Sequence, residues 1–310
     1  SLWRDVKVFN HHAYIVSEGG DGIQVVNLAN IDLGLVILVS TITNGGTVAT
    51  HNVAINTDSG FLYRSGGGDN GLRIYDLNAS PTNPPYVGTW ITKYVHDVQI
   101  VTYPAGSQYA GREVAFCCSG FNGGFSETGL SIVDVTDKDN IFVIGEMQHT
   151  NNNYSHQGWL TEDYQYFYLN DELDEQSTGT PTTTRIIDVS DLSNPVQVGT
   201  CTTGSPAIDH NLYIRGNTMF QANYRSGIRI FDITDRLNPE ETAWFDTYPT
   251  DDSAQFNGLW SVYPFFPSGT VIGSDLERGL FVWTIQPPSV VASPIDPLPD
   301  MLDPLGGDSF

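Results

Sequence analysis

The sequence predicts an all-β protein, a β-propeller of six four-stranded blades that covers residues 1–285 and is followed by a proline-rich tail over residues 286–310. Three observations lead to this prediction. A glycine, an alternating apolar stretch and an aspartate or asparagine recur as a motif at intervals of roughly 44 to 58 residues, and periods of about 40–50 residues are typical of propeller blades. Further strand-like apolar stretches flank each copy. No helical period competes with this pattern.

Each copy of the motif predicts the third strand of a blade, because an apolar strand precedes it and a turn rich in Asp, Ser, Asn and Pro follows it before the next strand. Sequential four-stranded units bury their faces against neighbouring units, and a radial arrangement does this without exposed edges, whereas a sandwich shows no regular unit. The copies are residues 22–27, 71–76, 129–134, 184–188, 227–232 and 279–284. The repeats open near Arg4, His51, His96, His156, His210 and Gly258.

The last repeat is one strand short. After residues 279–285 the chain enters the tail, which holds six prolines and shows little periodicity. Such a composition is typical of a linker or a disordered end. We therefore expect the outer strand of the last blade to be missing or to come from elsewhere.

The charge of the chain excludes some partners. Asp and Glu number 36 against 13 Lys and Arg, which gives a formal net charge of −23 and a pI near 4.3. Such a surface repels nucleic acid and anionic lipid, so neither is an expected partner. It attracts cations such as Ca²⁺, although a solvated acidic coat explains the same charge.

Cysteines and apolar segments bear on the compartment. Cys201 is a disulfide candidate with Cys117 or Cys118, and three buried thiols are the alternative. No run of about 18 apolar residues is present, so we expect no transmembrane segment. The first residues lack the basic and apolar regions of a signal peptide, as the mature chain of a secreted protein would.

The motif with its Ser/Asn-Pro turn resembles the LVIVD repeat. Residues 1–8 (SLWRDVKV), 13–18 (AYIVSE), 170–175 (NDELDE) and 263–270 (YPFFPSGT) also resemble the choice-of-anchor B family of bacterial surface propellers. This resemblance implies a secreted or surface-anchored β-propeller and assigns no catalytic residue. Family members usually carry another repeat upstream, which would give seven blades, and often a sorting signal that is not visible after Pro287.

Four of the seven histidines occupy the same place in the repeat, at the start of the first strand of a blade: His51, His96, His156 and His210. First strands line the channel of a propeller, so equivalent side chains approach the axis at one height. Neutral imidazoles are good ligands for Zn, Cu or Fe. The pattern predicts a candidate metal site at the channel mouth.

Polar residues occupy the repeat position next to these histidines and are candidate partners of the rings. The candidates for orienting them are Asp5, Asn52, Asp97, Gln157 and Asn211. An alternative is a structural belt, in which the histidines point sideways and hydrogen-bond successive blades together. The sequence alone leaves both interpretations open.

A second candidate site is the acidic segment after a strand of the fourth repeat, with Asp171, Glu172, Asp174 and Glu175. Clustered carboxylates suit Ca²⁺, which takes 6–8 oxygen ligands, although the spacing differs from the helix-loop-helix calcium motif. The alternative is that Asp171 or Glu172 accepts main-chain N–H bonds and braces the turn.

These features leave three functional hypotheses. The first is a non-catalytic extracellular propeller that binds a protein or a glycan at its channel or on one face. The second is a metal-dependent enzyme that uses the four histidines, and the third is a structural subunit of a surface assembly. A divalent metal is the expected cofactor. A nucleotide is not, because no helix follows the glycine-rich loops.

Overall fold

The computed structural model describes residues 3–46, 48–68, 71–122, 124 and 126–285. These residues form six antiparallel sheets in chain order, each a meander of neighbouring strands. The prediction of a six-bladed β-propeller is confirmed, and the blades open where the sequence placed them. The predicted tail, residues 286–310, lies outside the described residues.

The first three blades have four strands each. The first blade contains β1 (Arg4–Phe9), β2 (His12–Ser17), β3 (Ile23–Asn30) and β4 (Leu35–Ile42), with a 3-10 helix, Ile31–Leu33, between the last two. The second contains β5 (Asn52–Asn56), β6 (Phe61–Ser65), β7 (Leu72–Asp76) and β8 (Tyr86–Trp90). The third contains β9 (Asp97–Thr102), β10 (Glu113–Ser119), β11 (Gly129–Asp134) and β12 (Phe142–Met147).

Of the last three blades, only the sixth has fewer than four strands among the described residues. The fourth contains β13 (Ser155–Leu160), β14 (Tyr166–Asp171), a short helix α1 (Asp174–Thr178), β15 (Thr183–Asp188) and β16 (Val196–Thr202). The fifth contains β17 (Asn211–Arg215), β18 (Thr218–Ala222), β19 (Ile228–Asp232) and β20 (Glu240–Phe245). The sixth has three strands among the described residues: β21 (Leu259–Tyr263), β22 (Thr270–Asp275) and β23 (Gly279–Thr284).

In four of the six copies, the glycine that opens the motif is required by a close approach of the outer strand, and the fourth copy opens with Thr184 instead. Gly71 has φ +66°, and a Cβ atom there would lie 1.6 Å from the carbonyl oxygen of Trp90 in β8. Gly22 and Gly227 meet the fourth strands of their own blades in the same way. At Gly279 nothing lies within 4 Å of the Cβ position, because the sixth blade has no described fourth strand.

The aspartate that closes the motif makes the turn after the third strand. Asp76, Asp134, Asp188 and Asp232 each accept a hydrogen bond at Oδ1 from the main-chain N–H two residues later, over 2.8–3.0 Å. This arrangement is an Asx turn, for which a short carboxylate side chain is well suited. The glycine and the aspartate of the sequence motif therefore mark the two ends of one strand.

Apolar side chains pack between successive blades. In one such core, Tyr63 and Ile74 of the second blade pack with Val98 and Ala115 of the third. Comparable clusters join each following pair and the first pair. First strands of consecutive blades contact one another from β1 through β21, so the starts of these strands come together around the common axis.

The outer faces of the two terminal blades carry exposed apolar residues. Val6 and Val8 of β1 are 51% and 58% exposed, and Leu280 and Val282 of β23 are 68% and 62% exposed. None of the apolar clusters found in the described parts of the chain joins the sixth blade to the first. Within those same parts, no helix is long and apolar enough to cross a membrane.

Candidate metal centre

The four histidines of the repeat lie in contact with one another. His51, His96 and His210 directly precede β5, β9 and β17, while His156 is the second residue of β13. The centroids of successive rings, in the order His51, His96, His156 and His210, are 4.1, 4.2 and 4.3 Å apart. Four residues far apart in the sequence thus form one continuous row, as their shared repeat position predicts.

Main-chain carbonyl groups of the next blade orient three of these rings, whereas Nδ1 of His51 lies 2.6 Å from Oε1 of Glu18. Nδ1 of His96 lies 3.1 Å from the carbonyl oxygen of His156, and Nδ1 of His156 lies 3.1 Å from that of His210. Nδ1 of His210 bonds the carbonyl oxygen of Trp260 in the same way. A carbonyl oxygen only accepts, so each Nδ1 carries the proton and the lone pair of the neutral ring lies on Nε2.

The free nitrogens of two rings face one carboxylate. Nε2 of His156 lies 3.5 Å from Oε2 of Glu172, and Nε2 of His210 lies 3.6 Å from Oε1 of the same residue. One ligand atom from each of the three residues lies within 4.8 Å of the others. The separations of 3.5 and 3.6 Å are too long for hydrogen bonds, and three such residues this close together could hold a metal ion.

Glu172 is held in place by a buried tyrosine. The hydroxyl of Tyr224 donates to Oε1 of Glu172 over 2.7 Å, and Tyr224 is 1% exposed. The side chain of Glu172 is 14% exposed, against 2% and 3% for His156 and His210. The carboxylate is therefore the part of the cluster that meets solvent.

Burial keeps the imidazoles neutral. It is the largest cause that lowers the pKa of His156 and of His210 to about 3. Burial, followed by the neighbouring histidines, also holds the pKa of His96 well below its usual value. Neutral imidazole is the form that binds metal ions, so these rings need not lose a proton first at neutral pH.

The polar neighbours predicted to orient the rings do not form hydrogen bonds with them, so that prediction was wrong. Asn52 donates to the carbonyl oxygen of His96, and Gln157 exchanges two bonds with the main chain of Leu212. Asp5 accepts from Lys7 and from the N–H of Val53, while Asp97 accepts from the N–H of Val98. In Asn211 the side-chain oxygen has no hydrogen-bond partner. The histidines do hydrogen-bond successive blades together, but the acceptors are main-chain carbonyl oxygens.

The acidic segment is not a single loop of calcium ligands. Asp171 accepts N–H bonds from Asn153 and Tyr154, both over 2.7 Å, as in the bracing alternative. The carboxylate of Glu172 instead faces His156 and His210. The sequence pattern does not indicate this position. Asp174 and Glu175 begin α1 and are buried.

The predicted disulfide is absent. Cys117, Cys118 and Cys201 are free and buried, as in the alternative. They lie in three different apolar clusters, and Cys201 belongs to the outer strand of the fourth blade, whereas the other two lie on β10. Burial raises the pKa of all three thiols, that of Cys201 to about 12.

Comparisons with known proteins support the fold. Residues 185–203 match the family model of the LVIVD repeat. In the structure these residues include most of β15 and all of β16. A search of curated proteins found no match.

Two similar solved structures cover most of the chain. A functionally unknown protein from Desulfotomaculum acetoxidans is 14% identical with a TM-score of 0.64, and the match covers 91% of this chain and 82% of that one. A protein from Lactobacillus plantarum is 12% identical with a TM-score of 0.65, over 91% and 80% of the two chains. At these identities the likeness concerns the fold alone.

Proposed function

We propose that this protein binds one zinc ion through His156, His210 and Glu172, at the end of the channel where the first strands begin. The observation that supports the proposal is the convergence of two unprotonated Nε2 atoms on one carboxylate. Two histidines and a glutamate are a common protein ligand set for catalytic zinc.

Tetrahedral coordination requires the ligand atoms to draw together. Zinc–ligand bonds of about 2.0–2.1 Å at tetrahedral angles place neighbouring ligand atoms about 3.3–3.4 Å apart. The separations of 3.5 Å from His156 and 3.6 Å from His210 run to different oxygens of Glu172. One ligand atom from each of the three residues lies within 4.8 Å of the other two, so a shift of the carboxylate on binding would bring one of its oxygens to the same ion as both rings.

Three protein ligands leave the fourth zinc position open, which is typical of a catalytic or ligand-binding site and not of a structural one. The ion would supply a Lewis acid for a bound water or a substrate oxygen. In this chain, the carbonyls of His210 and Trp260 fix the ring orientations, and Tyr224 fixes Glu172. We therefore infer a function that depends on a zinc-bound oxygen ligand.

Zinc titration of the metal-stripped protein by calorimetry tests this proposal. We expect one equivalent of zinc to bind the wild type and binding to be lost in Glu172→Gln, which keeps the side-chain volume and an oxygen that can accept from Tyr224. His210→Ala should lose binding too. His12→Ala is the matched control, since His12 lies in β2 and bonds the carbonyl of Asn10. Equal zinc binding by the wild type and Glu172→Gln would contradict the proposal.

A second candidate function is binding of a carbohydrate at a separate cavity. This cavity of about 270 Å³ is lined by Gln99, Trp159, Glu162, Tyr164 and Phe265, among others. The rings of Trp159 and Phe265 lie 5.7 Å apart, and aromatic faces with nearby polar groups suit sugar rings. Quenching of tryptophan fluorescence by an oligosaccharide panel, lost in Phe265→Ala, would support it. No saccharide response in the wild type would contradict it.

We also propose that the protein works outside the cytoplasm, with a partner there. The net charge of −23 and the resemblance to bacterial surface propellers support this location. Protease treatment of intact native cells tests it: loss of the protein, with a cytoplasmic marker spared, is the expected result. Protection alongside that marker would contradict it.

A further inference from the structure

Three buried carboxylates meet between the fourth and fifth blades, apart from the histidine site. Asp174 and Glu175 of α1 are 0% and 5% exposed, and Asp209, in the loop before β17, is 0% exposed. Oε1 of Glu175 accepts the main-chain N–H of Asp209 over 3.3 Å. Oδ2 of Asp174 pairs with Arg185, the one cation that bonds this group among the described contacts.

Most oxygens of this group have no partner. Both carboxylate oxygens of Asp209, Oδ1 of Asp174 and Oε2 of Glu175 are buried without a hydrogen bond. Buried polar atoms in folded proteins nearly always have a partner, and each exception needs a cause. An acceptor can be satisfied only by a donor or by a cation.

The charges of the group do not balance. Three carboxylates face one guanidinium, and the nearby Asp171 is already bonded by the amides of Asn153 and Tyr154. Burying an uncompensated carboxylate costs several kcal/mol. Without a cation, burial, followed by Asp174, raises the pKa of Glu175 to about 9, so this group holds a proton at neutral pH that a bound cation would displace. A bound divalent cation would neutralise the remaining charge and fill the empty acceptor positions at once.

We propose that this group binds a calcium ion through Asp174, Glu175 and Asp209. All of these ligand atoms are oxygens, which suit a hard cation and not zinc. In the described part of the chain, only the histidine site brings ligand atoms of three His, Cys, Asp or Glu residues within 4.8 Å of one another. Calcium accepts wider sets, because its opposed ligands stand about 4.6–5.2 Å apart.

This ion would join two blades. Asp174 and Glu175 belong to the fourth blade, while Asp209 lies just before the first strand of the fifth. Asp209 directly precedes His210, a ligand of the proposed zinc site. The calcium ion is therefore placed to hold the loop that carries His210, although its binding does not depend on zinc.

Thermal unfolding of the chelator-treated protein, with and without calcium chloride, tests the proposal. At about 100 times the dissociation constant, we expect the midpoint to rise by about 5 °C or more. Asp209→Asn and Glu175→Gln should abolish the rise. Asp191→Asn is the control, since Asp191 lies in a surface turn, and it should keep the rise.

Two results would overturn the inference. One is a wild-type midpoint and a calorimetric baseline that stay unchanged up to about 10 mM calcium, above the dissociation constants of weak extracellular sites. The other is an equal calcium response in Asp209→Asn, which would place the ion elsewhere. Glu172→Gln separates this site from the zinc site, because it should lose zinc and keep the calcium response.

Discussion

Nδ1 of His156 lies 3.1 Å from the main-chain carbonyl oxygen of His210. The side chain of one blade is thus bonded to the backbone of the next at the residue that occupies the same repeat position. The same contact links His96 to His156. One hydrogen bond therefore joins two blades and leaves Nε2 of the ring unprotonated, so the structural belt and the metal-ligand interpretation describe the same atoms.

Removal of the tyrosine hydroxyl beside Glu172 should weaken zinc binding without unfolding the protein. Tyr224→Phe deletes the 2.7 Å bond to Oε1 of Glu172 and keeps the ring. Loss of a group that orients a metal ligand typically lowers affinity about 10–100-fold. Competition with a zinc-sensitive dye measures the change, and Tyr263→Phe, which alters an exposed ring, is the control. Equal affinities in the two variants would argue against a role for Tyr224.

The motif glycines should differ in their tolerance of a side chain. Gly71→Ala places a Cβ atom 1.6 Å from the carbonyl oxygen of Trp90, whereas Gly279→Ala meets nothing within 4 Å. Both have positive φ, so both variants carry backbone strain of about 1–2 kcal/mol. We expect the free energy of unfolding of Gly71→Ala to fall by about 2 kcal/mol or more beyond the effect of this strain. Urea unfolding measures the difference, and equal losses would disprove the close approach.

The cysteines should be unreactive in the folded protein. Cys117, Cys118 and Cys201 are buried free thiols with raised pKa values, and the thiolate is the reactive form. We expect almost no reaction with a thiol reagent in buffer and three equivalents in denaturant without a reductant. One equivalent in denaturant would instead indicate a disulfide.

A buried histidine outside the metal site should make the protein sensitive to acid. His149 bonds the hydroxyl of Ser155 over 2.9 Å and the carbonyl of Thr150 over 3.0 Å, and burial, then Arg185, lowers its pKa. Below the unfolded pKa of 6.5 the unfolded chain takes up a proton that the folded chain does not, so stability falls as pH falls.

The variant His149→Gln should reduce this loss. Between pH 7 and pH 5 we expect the free energy of unfolding to fall by up to about 2 kcal/mol less than in the wild type. Because the buried bonds are disturbed, the variant should be less stable at pH 7. Melting curves of the wild type and the variant between pH 5 and pH 7 measure this difference. Parallel pH profiles of the two proteins would show that His149 does not titrate on unfolding.

The repeat made the fold and the row of histidines predictable. Gly71 and Asp76 mark the two ends of a strand through local geometry that recurs in most blades, so the pattern is visible in the sequence. The histidines share one repeat position, and equivalent positions of radial blades meet at the axis.

Other features could not be predicted because they depend on one blade or on strand geometry. Glu172 follows β14 in an irregular segment found in a single blade, so no repeat indicates where its side chain points. Asn52 and Gln157 each follow a histidine directly, and successive side chains of a strand point to opposite faces. The side chains of Asn52 and Gln157 bond the main chain of the next blade and not the rings, so the expected orienting role was wrong.

The location of a bound zinc ion tests the central claim most directly. Anomalous diffraction at the zinc edge, from crystals grown with one equivalent of zinc, gives that location. We predict one peak about 2.0–2.1 Å from Nε2 of both His156 and His210 and from an oxygen of Glu172. Absence of a peak at these three atoms, or a peak at other residues, would contradict the account.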